Sequence, residues 1–182
     1  SKHLISLACI PIFIFILGMG FSYLKIKDQL PQIPENLRYL NSQLPTEIYS
    51  SDGKLLKVLA DRSYMTLDLI SPHFQNAIIA AEDCRFYEHH GLDPIGVFRA
   101  LMKNTVKGKI AQGGSTITQQ LAKNLFFSFE KSYERKLKEL LMAFQIESTF
   151  SKSKILEAYS NQVYFGKGAY GVHKASQVYF GK

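Results

Sequence analysis

"IIAAEDCRFYEHHG", residues 78–91, runs four small or aliphatic residues into two adjacent acids, followed by aromatic residues, two histidines and a glycine. Just upstream, Ser71-Pro72 supplies a cap and a proline at the first helical position, and Phe74, Ile78 and Ala81 recur at helical spacing. The pattern predicts a helix that delivers Glu82 and Asp83 in its last turn. At that end the helix dipole disfavours negative charge by roughly 0.3 to 1 kcal/mol, so stability alone would favour lysine. A carboxylate held there, partly desolvated by a neighbour such as Phe86, becomes a better general base. The same residues also allow a plain surface ion pair from Glu82 to Arg85 at i+3. His89 and His90 suit structural roles, and a carboxylate-histidine metal site would need more ligands than this stretch offers.

Downstream, Asp93-Pro94 repeats the start signal, and Ile95, Phe98, Leu101 or Met102 and Val106 form an apolar stripe before Gly108. "AQGGSTITQQLAKN", residues 111–124, is the second candidate site. Gly113-Gly114 permits close approach of backbone to a ligand, Ser115 can cap the next helix, and the amides at that helix start favour an anion. Gln119, Gln120 and Lys123 are expected to project from its first turns, and Ile117, Leu121 and Leu125 share one face. The lysine spacing is not that of a Walker A loop. A capped helix with solvated glutamines is the plainer reading of this stretch alone.

"YERKLKELLMAF", residues 133–144, is the third. On a helix starting near Ser132, Glu139 lies about 150° from the mean direction of Leu137, Leu140, Leu141 and Phe144, on the face of Arg135. That spacing equally describes an exposed i, i+4 ion pair. A further helix carries Ile155, Leu156 and Tyr159. "QVYFGK" occurs at 162–167 and 177–182, too few copies for a solenoid, and the glycine of each reads as a helix terminator.

Upstream, "TEIYSSDGKLLKVLA" alternates around Asp52-Gly53 and predicts a hairpin near 46–60. Residues 25–45 carry three prolines and read as a stalk. Leu4 to Leu24 gives 21 residues without a formal charge. At about 1.5 Å per residue that run is long enough to cross a hydrocarbon core of roughly 30 Å, and it is expected to be a membrane anchor. Its flanks, Lys2 on one side and Lys25 and Lys27 on the other, do not fix its orientation. The net charge of +7 is spread along the chain rather than gathered into a nucleic-acid module, and suits anionic lipid or a phosphate-bearing substrate. Cys9 and Cys84 provide neither a disulfide framework nor a zinc site.

Taken in order, "EDCRFYEHHG", "GGSTITQQ", "RKLKE", "KILEAYSN" and "GVHKASQVYFG" resemble the family 51 glycosyltransferases, which polymerise lipid II. Upstream, "IYSSDGKLLKVLADRSYMTLDLI" is more similar to the bifunctional class A penicillin-binding proteins, so a transpeptidase domain in the parent chain is a possible partner. The resemblance implies a mostly α-helical, lysozyme-like domain with a small jaw subdomain against the membrane, outside the cytoplasm of a bacterium and behind a single N-terminal transmembrane helix. It implies organisation as anchor 1–24, stalk 25–45 and glycosyltransferase domain 46–182. The growing glycan, held through pyrophosphate on a polyprenyl lipid, is the donor, and the 4-hydroxyl of lipid II is the acceptor. By the same resemblance Glu82 is the base, and Glu139 organises the donor pyrophosphate, directly or through a divalent metal, Mg or Mn. Gly114, Ser115, Gln119, Gln120 and Lys123 line the donor side, with Lys131, Arg135 and Lys138 near the phosphates. Asp83, Phe86 and His89 shape the site, and Lys103, Lys107 and Lys109 fall near the family's membrane-facing segment.

The chain departs from the family pattern at three points. Lys131 stands where relatives usually have arginine and lacks its bidentate fork. Ser160 replaces the usual leucine. The family's domain continues beyond the fifth motif, so 46–182 is expected to be C-terminally truncated. Two rival readings are a lysozyme-like enzyme that cuts glycan and a membrane-anchored cell-wall binding protein without activity.

Overall fold

A computed structural model of the protein describes residue 20 and residues 24–37, 46–59, 63–107, 113–127 and 132–181. The chain divides into two units, Ser1–Gln32 and Ile33–Lys182. In the first, a short 3-10 turn covers Lys27–Gln29. Except for Gly20 and Leu24, the expected anchor lies outside the described residues. Among those described, no helix is long and apolar enough to cross a membrane.

The second unit opens with strands β1 (Thr46–Tyr49) and β2 (Leu55–Leu59), paired antiparallel. Asp52-Gly53 turns the chain as its composition predicts, with Gly53 at φ 82° and its N–H donating to Ser50 O at 2.9 Å. The rest is helical: α1 (Pro72–Glu82), α2 (Pro94–Lys107), α3 (Ile117–Phe126), α4 (Tyr133–Thr149), α5 (Lys152–Gln162) and α6 (Gly171–Phe180). Local chemistry sets several of these starts. Pro72 opens α1, while Ser132 and Ser151 accept the backbone N–H groups of Arg135 and Lys154 to cap α4 and α5.

The core forms where α4 and α5 pack on α3 and where α6 packs on α5. Ile117, Leu121 and Ala122 of α3 meet a layer supplied by Met142, Ala143 and Ile146 of α4 and Ile155, Leu156 and Tyr159 of α5, all essentially inaccessible. The segment before α1 is strapped to α5 by polar contacts. Tyr64 Oη and Leu67 N–H donate to the two oxygens of Glu157, at 2.9 Å each, and Asn161 exchanges hydrogen bonds with the Met65 backbone at 2.8 Å. Burial disfavours a charge on Glu157, but donors from Leu67, Lys154 and Tyr64 outweigh it and hold this carboxyl below the usual range. Gly91, at φ 88°, approaches α4 so closely that a Cβ there would lie 3.1 Å from the Ala143 carbonyl carbon.

Two expected apolar faces are corrected. On α4 the buried residues are Glu139, Met142, Ala143 and Ile146, whereas Phe144 of the expected stripe is exposed. Of the two arrangements the spacing equally allows, the exposed i, i+4 pair is not the one found: Arg135 does face Glu139, but Glu139 is buried. Cations one turn away make its burial tolerable, as described below. On α2 the stripe exists but is not core: Ile95, Phe98, Leu101, Met102 and Val106 are 52–83% exposed. Of the two repeat glycines, Gly181 caps α6 in the left-handed region, whereas Gly166 turns the loop beyond α5, which ends at Gln162.

Candidate active site

Glu82 is the last residue of α1 and is exposed, whereas Asp83 caps the helix and is buried. The two adjacent acids thus take opposite environments. Asp83 turns inward to the start of α3: its Oδ2 accepts the Ile117 N–H at 3.0 Å, and both oxygens lie 3.0 Å from His89 Nε2. The unfavourable end of one helix dipole is therefore matched by the favourable end of another. Thr116 Oγ1 donates to Gly91 O at 2.8 Å, adding a second tie between the α1–α2 loop and α3. Phe86 is fully buried under this loop, with Lys152 Nζ 4.4 Å from its ring centroid.

Glu82 does not form the ion pair its spacing to Arg85 allows. Arg85 Nε instead faces Glu88 at 3.0 Å. The partner of Glu82 is Gln120, whose Nε2 donates to Oε2 at 2.9 Å, and Gln120 Oε1 in turn accepts from the Tyr159 hydroxyl at 3.2 Å. Burial first, then the Glu82 and Asp83 carboxylates, push the Tyr159 hydroxyl well above the usual tyrosine range, so it stays a donor at working pH.

A small open cleft is lined by Glu82, Asp83, Cys84, Asp93, Arg99, Gly114, Ser115 and Thr116, among others. Gly114 is packed tightly here, since a Cβ would lie 3.3 Å from Val97 Cα. The cap of α3 differs from expectation. Thr116, not Ser115, forms a capping box with Gln119, which leaves the Ser115 hydroxyl to accept from Lys136 Nζ at 2.8 Å. Gln119 is spent on that box and buried, so it does not project into the cleft as expected.

Lys136 links the two candidate carboxylates' surroundings. Its Nζ also donates to Glu139 Oε2 at 2.9 Å, while Arg135 Nε stands 3.0 Å from Oε1. Glu139 is 1% exposed and sits between the Arg135 and Lys136 side chains. Lys138 lies apart from it, paired with Glu134 at 2.7 Å. Lys123 is half-buried on α3, Lys103 is exposed on α2, and Lys131 and Lys109 lie outside the described residues. Lys136 and Tyr159 are the two site residues that the sequence pattern does not single out. The i, i+3 spacing of Lys136 to Glu139 was the available signal for the first.

These residues do not fit a resident divalent ion at Glu139. Both carboxylate oxygens already face cations that an ion would have to displace. Among the described residues no group of three or more His, Cys, Asp or Glu side chains could hold a metal.

The family model described as Transglycosylase matches residues 52–182. Among curated relatives, penicillin-binding protein 1A of Escherichia coli (strain K12) is 45% identical over 146 residues, covering 78% of this chain and 17% of the relative. Penicillin-binding protein 1A of Aquifex aeolicus (strain VF5) is 45% identical over 159 residues, 86% of this chain and 22% of that one. The protein of the same name from Neisseria flavescens is 43% identical over 146 residues, 78% and 18% respectively. The chain thus spans about a fifth of the length of these relatives. A family match over most of the chain, coinciding with the helices that carry Glu82, Gln120 and Glu139, places the protein in the transglycosylase family, the family 51 glycosyltransferases.

Proposed function

We propose that this chain is a peptidoglycan glycosyltransferase that polymerises lipid II into β-1,4-linked glycan and releases polyprenyl diphosphate. The observation that carries the reading is the pair of carboxylate environments meeting at Ser115. Exposed Glu82 lines the same cleft as Ser115, and Ser115 is hydrogen-bonded to the lysine that neutralises Glu139. Glu82 takes the proton of the acceptor 4-hydroxyl through the oxygen that Gln120 leaves free. The acceptor oxygen forms its bond to the donor anomeric carbon as the bond from that carbon to the phosphate oxygen breaks, with inversion. The electron pair leaves with the diphosphate, and Lys136 and Arg135, with Lys123, Lys131 and Lys138, supply positive charge for it. Glu139 holds the first two cations in place.

The fold proposed for this activity is lysozyme-like, with α2 in a jaw lying against the outer face of a bacterial cytoplasmic membrane. The exposed stripe Ile95, Phe98, Leu101, Met102 and Val106, with exposed Lys103 beside it, supports contact with lipid. Residues 4–24 would anchor the chain there. A transpeptidase domain in the parent protein and other cell-wall synthesis partners belong to the same proposal, on the likeness to proteins named penicillin-binding protein 1A.

The test is conversion of labelled lipid II to long glycan by the natural chain, Glu82→Gln and Glu139→Gln at equal folded amounts. The expected result is polymer from the natural chain only. Shortening of preformed glycan would point to the hydrolase instead. Lipid II binding without turnover, unchanged in Glu82→Gln, would point to a binding protein.

A further inference from the structure

We infer that Tyr159 is a positioning residue for Glu82, acting through the Gln120 amide to hold the exposed carboxylate in one orientation. The inference rests on the reading of Glu82 as the base and adds a residue from a third helix to it. Glu82 stands at the open end of α1, and a glutamate there has several rotamers available. Among the described residues, the group that hydrogen-bonds to it is Gln120 Nε2, at 2.9 Å.

A glutamine amide can face either way, and the flipped form would set its carbonyl oxygen against the carboxylate. While Glu82 is ionised, its negative charge selects the NH2 group. That selection weakens once Glu82 has taken a proton, because a carboxylic acid both donates and accepts. At that point the other end of the amide must hold the orientation. Tyr159 can do so because it is 1% exposed, its ring is fixed in the α3–α5 core, and its hydroxyl lies 3.2 Å from Gln120 Oε1. The hydroxyl remains a donor through the cycle, since burial and the nearby Glu82 and Asp83 charges oppose its ionisation. Two hydrogen bonds thus connect the rigid core to a flexible side chain across α5, α3 and α1. One oxygen of Glu82 is held and the other is left for the acceptor hydroxyl.

The experiment is steady-state polymerisation of lipid II by the full chain carrying Tyr159→Phe, Gln120→Leu, or both, with Glu82→Gln run in parallel. Tyr159→Phe keeps the buried ring and removes one oxygen. The expected outcome is a fall in kcat of about 10-fold at a KM within about twofold of natural, the scale seen when a group that orients a reacting residue is removed. In the Gln120→Leu background the same change should cost nothing further, because the path to Glu82 is already cut. Equal losses in both backgrounds, or natural kcat with only a lowered melting temperature, would overturn the inference. Should Tyr159→Phe not fold, Gln120→Asn serves: its shorter amide cannot reach both partners, so natural kcat in that variant overturns the proposal and a similar fall supports it. Glu82→Gln separates the two readings. If it retains natural kcat, the base assignment fails first. If it is inactive while Tyr159→Phe is natural, only the positioning role fails.

Discussion

Replacing Asp83 by asparagine tests whether this acid anchors the site or takes part in its chemistry. Its carboxylate is nearly inaccessible and acts only as an acceptor, for the Ile117 N–H and for His89 Nε2 on both oxygens. Asparagine retains one acceptor oxygen and sets an NH2 group against either the helix amide or the histidine. One charge-assisted hydrogen bond is weakened and another becomes donor facing donor. Hydrogen bonds to charged groups contribute roughly 1.5 to 3 kcal/mol each, so the expected loss of stability is about 3 kcal/mol. For a chain of this size, at about 2 to 4 °C per kcal/mol, the melting temperature should fall by roughly 6 to 12 °C. Circular dichroism against temperature and urea would measure it, with Glu82→Gln as the control. Exposed Glu82 should change stability by less than about 0.5 kcal/mol. If Asp83→Asn unfolds like the natural chain yet loses polymerisation, Asp83 is no anchor and acts on substrate.

Three other perturbations have definite expected outcomes. Glu157→Gln should cost about 2 kcal/mol at pH 7, because it weakens three hydrogen bonds to a buried carboxylate. Since the folded carboxyl is held below its unfolded value, that stability is fully present above about pH 4.3 to 5 and is lost as pH falls through the lower folded value. Urea titrations of both chains should therefore converge in acid. Ser160→Ala should raise stability by about 1 kcal/mol, measured by thermal unfolding, because the Ser160 hydroxyl is fully buried without a hydrogen-bond partner among the described residues. Lys136→Met leaves Glu139 with one cation and should reduce kcat for lipid II polymerisation by about 100-fold. It should cost only about 1 to 2 kcal/mol in unfolding, since Lys136 is itself half-exposed.

Much of the fold was legible where local chemistry decides it. Pro72, Asp52-Gly53 and Ser132 each mark an element boundary through chemistry confined to a few residues, although Ser71 stands at the N-cap of α1 without the side-chain bond expected of it. The α3 start was misplaced by one residue because Ser115 and Thr116 are both good caps. The discriminating signal was Gln119 three residues after Thr116, the second half of a capping box. The α4 face failed for a different reason. A helical wheel scores Glu139 as outward, and only its neutralisation by Arg135 and Lys136 makes its burial reasonable. The bond from Tyr159 to Gln120 joins residues 39 apart in the chain, and no local pattern marks it.

On the proposed function, Glu82 and Glu139 do different work, and their surroundings differ to match. A base needs an oxygen that can reach the acceptor and accept its proton, so Glu82 is exposed and held by one neutral donor. A residue that keeps cations gathered near a leaving diphosphate must instead remain an anion, and Glu139 is buried with a cation on each oxygen. Exchanging these environments would disable both roles: two close cations would oppose protonation of the base, and solvent would release the lysine that Glu139 holds. Ser115 lines the cleft beside Glu82 and accepts from Lys136, and Lys136 also donates to Glu139. A substitution there should therefore disturb departure of the diphosphate before it disturbs proton removal.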